Sequence, residues 1–156
     1  GKAALELYRT LSPKPEARLA VKTAPLALPR TTGAKLLGAG ETTRLQCLAI
    51  NEALLIAVPG EPITQLGLLL KAHARRQGYA YPVVIGLAND HLGYLLTRSE
   101  MKKGGYEAGM SFFGEGFGED LTLALGRLIG GDLQPLEAEL AEVNRRTTEG
   151  TEGDRK

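Results

Sequence analysis

Tryptophan is absent from these 156 residues, cysteine occurs once and histidine twice. The single thiol, Cys47, excludes an intrachain disulfide, and its place in an alternating apolar run predicts a buried, inert side chain. With one cysteine and only His73 and His91, no tight His/Cys cluster marks a metal centre by spacing alone. A charge excess is lacking too. The 19 basic and 18 acidic residues leave a formal net charge of +1, which argues against an electrostatic nucleic-acid binder. No apolar run reaches membrane-spanning length, and no signal-peptide pattern opens the chain. Aromatics make up only 5%, so each tyrosine carries weight. The glycine-rich stretches GAGETT (38–43) and GEGFGE (114–119) match neither a P-loop nor the dinucleotide fingerprint. Ser111 sits in GMSFFG rather than in a nucleophile elbow.

What is present is a hydrophobic fraction of 43%, enough to bury the core of one ordinary domain. Residues 2–11 have helical spacing but begin without a capping residue. Alternation over 17–29 reads as a strand, and Pro25 within it points to an edge or a bend. Residues 30–41 form a polar, glycine-rich loop or short helix. Strands over 43–50 and 54–58, joined by Asn51-Glu52, read as a hairpin. The second of these is apolar on both faces and belongs in mid-sheet. A helix is predicted over 62–77, with basic residues in its last turns that suit the dipole. His73 is expected on its surface or half buried. A second buried strand follows at 81–88, then helices over about 116–129 and 133–145. The polar tail, 147–156, is expected to be disordered.

A strand, loop, helix, strand and loop thus lie at the heart of the chain. Polar residues follow the C-terminal ends of both apolar strands, where α/β sheets hold ligands. Glu61 stands between Gly60 and Pro62 after the first strand, and Asn89, Asp90, His91 and Tyr94 follow the second, so the two loops are placed to face each other. Pro62 suits the first position of a helix, which makes Glu61 either its cap, a role glutamate fills poorly, or a functional carboxylate.

Four segments carry a resemblance: AVPGEPITQLGLLLK (57–71), VVIGLANDHLGYLLTRSEM (83–101), GGYEAGMSFFGEGFGE (104–119) and the helix after them. In that order and spacing they resemble the neutral/alkaline, non-lysosomal ceramidases over roughly residues 40–130. The resemblance implies zinc-dependent hydrolysis of an N-acyl amide, with ceramide cleaved to sphingosine and a fatty acid. It carries two zinc ligands over to Glu61 and Tyr94, with Tyr94 alternatively a catalytic donor on the oxyanion side, and a substrate contact with a catalytic role to Tyr106, for which packing on Phe112 is the alternative. Asn89 and His91 fall among the substrate-side residues of the same loop. Two further histidine ligands belong to the front of such a catalytic domain, and neither His73 nor His91 matches them. His91 and Met101 stand where many relatives have an aromatic residue.

The expectation is an α/β fold, a layered mixed β-sheet packed with helices. Residues 1–146 form the C-terminal part of a ceramidase-like catalytic domain whose N-terminal portion is the partner that completes it. That protein takes Zn²⁺ and a ceramide-like lipid, binds no nucleic acid, and has no transmembrane segment in this chain. The resemblance leans towards a secreted or periplasmic setting. The rival expectation is a non-enzymatic binding domain that keeps the fold without a complete metal site. A large uncovered apolar sheet face favours the first, and a well-covered one the second.

Overall fold

The computed structural model describes residues 1–13, 15–131 and 133. The helix expected over 133–145 therefore lies, apart from its first residue, outside the described residues, as does the tail at 147–156.

The framework is a mixed sheet of four strands. β1 (Leu19–Ala27) and β2 (Thr42–Ile50) pair antiparallel along nine residues. β2 turns at Asn51-Glu52 into β3 (Ala53–Ala57), with Ile50 opposite Ala53. Asn51 supplies the left-handed conformation that the turn needs, at φ 52°. Its amide and side-chain oxygen both bond to the backbone of Arg18, which pins the start of β1 beside the turn. The sheet holds one more strand, β5 (Tyr81–Ile85), parallel to β3. Strand order is β1-β2-β3-β5, so Pro25 lies on an edge strand, where its missing N–H is harmless.

One face of this sheet is covered by α3 (Thr64–Arg76) and α6 (Phe117–Ile129). The apolar positions of α6 recur every four residues, Phe117, Leu121, Leu125 and Ile129, and all four are buried. They meet Leu66, Leu69 and Leu70 of α3 and the inward side chains Leu45, Cys47, Leu54 and Ile56 of the sheet in one continuous core. Burial, opposed by the nearby Lys22 charge, pushes the Cys47 thiol up to about 11, so it is neutral and shielded at ordinary pH. Lys22 itself donates to the carbonyl of Ile129 at 2.8 Å and ties β1 to the end of α6. His73 is neither on the surface nor half buried, the positions expected for it. It shares a face with Leu69 and Leu70, is buried, and its Nε2 lies 3.2 Å from the Gly126 carbonyl, joining the two helices.

Among the described residues the opposite face is open. Register places Leu19, Ile50, Ala53 and Tyr81 in one row and Val21, Leu48, Leu55 and Val83 in the next. Leu19 (68% exposed), Val21, Tyr81 and Val83 face solvent, and Leu48 and Leu55 are half buried. β3 takes the mid-sheet place its composition predicts. β5 does not, because it is an edge strand with only one covered face. The helix α1 (Lys2–Thr10) has none of its residues buried.

Replacing Leu125 by Ala should cost about 2–5 kcal/mol in chemical denaturation, because it leaves a cavity between α6 and its neighbours. Leu5→Ala on α1 should change stability by no more than about 0.5 kcal/mol.

Candidate functional site

β3 and β5 run parallel, so both release their chains at the same edge of the sheet. The two loops that follow are stitched together by backbone hydrogen bonds. Val58 donates to Ile85, Leu87 to Gly60, Ala88 to Val58 and Leu92 to Pro59, at 2.8–3.0 Å. The expectation that the loops face each other therefore holds.

Beyond this zipper a second, two-stranded sheet forms from β4 (Glu61–Pro62) and β6 (Tyr94–Leu95), parallel and in the register Glu61 opposite Tyr94. This corrects the reading of Pro62 as the first residue of a helix with Glu61 as its cap. The helix α3 is capped by Ile63, and Pro62 is spent in the bridge to Leu95. Glu61 is thus held in extended backbone, away from the helix end, beside a phenol.

The chain then makes an excursion through α4 (Arg98–Lys103) and α5 (Tyr106–Gly109). It returns to the same place, where the backbone N–H of Tyr94 donates to the Met110 carbonyl at 3.1 Å and Gly93 bridges Ser111. Gly93 is required here. Its φ is 74°, and a Cβ would meet the Met110 carbonyl oxygen at 2.6 Å and the Phe112 ring at 2.8 Å. The return brings the Tyr106 ring edge-on to Tyr94, with centroids 5.9 Å apart and planes at 75°. Tyr106 is exposed (69%), so it is not the buried partner of Phe112 that was its alternative role.

Glu61 and Tyr94 are both half buried. The Glu61 charge, with partial burial and a hydrogen bond between the two side chains, raises the Tyr94 phenol above its ordinary 10.0. Smaller pushes in the same direction come from Tyr106 and from Glu107. The phenol is therefore neutral at ordinary pH and serves Glu61 as a donor. Glu107 was not singled out from the sequence, although it stands in the same YE pair as Tyr106.

The structure gives Asn89 and His91 less definite places. Both are exposed on the loop after β5. Asn89 takes a left-handed conformation, φ 75°, and donates to Gln46 at 3.4 Å. His91 is held through its backbone, which donates to Asp90 at 2.9 Å, while the other Asp90 oxygen accepts from Thr43 at 3.0 Å. An open groove of about 810 Å³ runs past Asn89, Asp90, Thr43 and Arg44. Among the described residues, no three His, Cys, Asp or Glu side chains gather where they could hold a metal ion.

A stretch of 75 residues is 36% identical to neutral ceramidase A of Dictyostelium discoideum, covering 45% of this chain. This chain resembles part of a neutral ceramidase. The matched region is 10% of that relative's length, so the chain spans only a small part of the protein it matches. Two solved ceramidase structures are also similar. One is a ceramidase complexed with C2, at a TM-score of 0.47 and 22% identity over 63% of this chain and 15% of the other. The second is the neutral ceramidase of Pseudomonas aeruginosa, at a TM-score of 0.46 and 21% identity over 67% of this chain and 16% of the other. No protein-family model matches the chain.

The Glu61–Tyr94 pair makes a titration prediction. Because the folded value is raised, the neutral phenol should persist above pH 10.0 and be lost only as pH climbs through the raised value. Glu61→Gln removes the first-ranking cause and should bring the Tyr94 midpoint down. Ultraviolet titration of tyrosinate, with Tyr94→Phe to assign the signal, reads this directly.

Proposed function

We propose that this chain supplies part of the active site of a zinc-dependent amide hydrolase acting on ceramide or a similar N-acyl lipid. Residues 1–146 are read as the C-terminal part of its catalytic domain. The observation that carries the proposal is the pairing of Glu61 with Tyr94, in register, at the sheet edge where ligands collect, with the Tyr106 ring beside them. The relative that matches over 75 residues is a neutral ceramidase, which supports the same reading.

The donor chemistry fits zinc in part. A carboxylate and a phenol are two oxygen donors held side by side, and a cation at that point would favour the phenolate that Glu61 alone disfavours. Catalytic zinc takes three or four protein groups, so these two need companions. His73 is engaged in the core with Gly126, and the resemblance assigns the missing pair to histidines from the N-terminal portion of such an enzyme. When bound, zinc polarises the amide carbonyl and brings the pKa of a bound water towards neutrality. This chain's residues would do the rest. Glu61 and Tyr94 hold the ion, and the exposed Tyr106 phenol donates to the amide oxygen as negative charge gathers on it. Asn89 and His91, exposed on the loop after β5, would serve as substrate contacts.

The uncovered sheet face supports a working unit larger than this chain. Two rows of apolar side chains without a charge among them favour burial against a further layer. The same face opposes the rival reading of a self-sufficient binding domain. On the preferred reading the isolated chain does not hydrolyse lipid.

Two measurements test these points. In calorimetric zinc titrations of the completed enzyme, Glu61→Gln and Tyr94→Phe should each weaken binding by at least the ~10–100-fold that loss of an outer-shell partner costs. Wild-type affinity in both variants would sink the assignment. The isolated chain should also bind a hydrophobic dye through its open face, and Leu48→Lys with Val83→Lys should abolish most of that signal while leaving the circular dichroism unchanged.

A further inference from the structure

The excursion that carries Tyr106 is not placed by hydrophobic packing. Neither α4 nor α5 contains a buried residue, and Tyr106 itself is exposed. Its two ends are fixed at β6, but the helices between them need another anchor. Among the described residues that anchor is polar and converges on the start of α6. The backbone N–H of Arg98 donates to Glu119 Oε1 at 2.7 Å, and its Nε meets Glu119 Oε2 at 3.1 Å. Nη1 donates to the Glu115 carbonyl at 3.3 Å, and Nη2 lies 3.7 Å from Asp120. Lys102 adds an exposed pair with Glu115 at 3.5 Å.

Two features set Arg98 apart from an ordinary surface cation. Glu119 is only 13% exposed, so both of its oxygens are spent on one residue in a partly desolvated setting. The guanidinium also lies where a side chain at Gly116 would stand, and Gly116 has φ 90°, a conformation that suits glycine. The α6 N-terminus is thus shaped as a seat for this one side chain.

We infer that Arg98 is a positioning residue, which locks the excursion of residues 98–110 onto α6 and so keeps the Tyr106 ring edge-on to Tyr94. Its functional consequence rests on the reading of Tyr106 as a substrate contact. The positional claim stands on geometry alone. An arginine suits the task better than a lysine because its fork satisfies a carboxylate and a carbonyl at once, whereas an ammonium is a point charge.

The test is the ring contact itself, measured by nuclear Overhauser cross-peaks between the Tyr94 and Tyr106 rings in the 156-residue chain. Wild type should show them. Arg98→Ala and Glu119→Gln should lose them while the amide shifts of β2, β3 and the second half of α6 stay in place. Arg98→Lys keeps charge and stem and should recover the contact only partly. It carries the test with Glu119→Gln should Arg98→Ala fail to fold. Cross-peaks of wild-type intensity in the folded variants, with only a lowered melting temperature, would overturn the inference, because a merely structural ion pair predicts that result. In the complete enzyme the same variants should lower kcat for an N-acyl lipid and leave KM near wild type. The zinc reading fails separately: if Glu61→Gln leaves metal binding intact, the ring contact still decides the role of Arg98.

Discussion

The parallel pairing of β3 with β5 is the constraint from which the rest of the arrangement follows. Two strands that end at the same edge must deliver their loops to the same place, and the backbone hydrogen bonds between residues 58–60 and 85–92 convert that proximity into fixed register. Only then can Glu61 stand opposite Tyr94. A slip of one residue would bring Pro62 beside Tyr94 and send the carboxylate elsewhere. The chemistry of the site therefore depends on a main-chain ladder rather than on contacts among the functional side chains themselves.

Much of this was legible in the sequence, for identifiable reasons. The hairpin around Asn51, the edge position of the Pro25 strand and the helices at 64–76 and 117–129 all follow from periodicity and turn chemistry, which are local. The facing loops follow from the strand-helix-strand order. What escaped depends on contacts that no local pattern carries. The two-residue strands β4 and β6 exist only because distant backbones meet, so Pro62 looked like a helix start. The apolar run at 81–85 reads as buried because composition reports what a strand could face, while the observed exposure of Val83 reports what this chain places there. His73 was misjudged through its basic neighbours, although its spacing from Leu69 and Leu70 already put it on the inner face.

The candidate site divides in the same manner. Glu61 and Tyr94 were reachable from position and resemblance, and their mutual register emerges from the fold. Glu107 and Arg98 were not reached. Each acts on the site through the return of residues 98–110, a path fixed by ion pairs to α6 and by the close approach at Gly93 rather than by any motif. Polar anchors of this kind leave almost no periodic trace, because one arginine and one glutamate twenty-odd residues apart look like ordinary surface charge.

The solitary thiol has a use beyond its inertness. Cys47 is 2% exposed and lies between the sheet and the helices that cover it. A thiol reagent can reach it only when those layers part, so its labelling rate counts openings of the core rather than excursions of the outer loops. Because no other sulfhydryl competes, that clock is built into the natural sequence. Docking of a further layer on the open face of the sheet would not touch the thiol directly, yet it would slow the clock by stabilising the sheet that shields it.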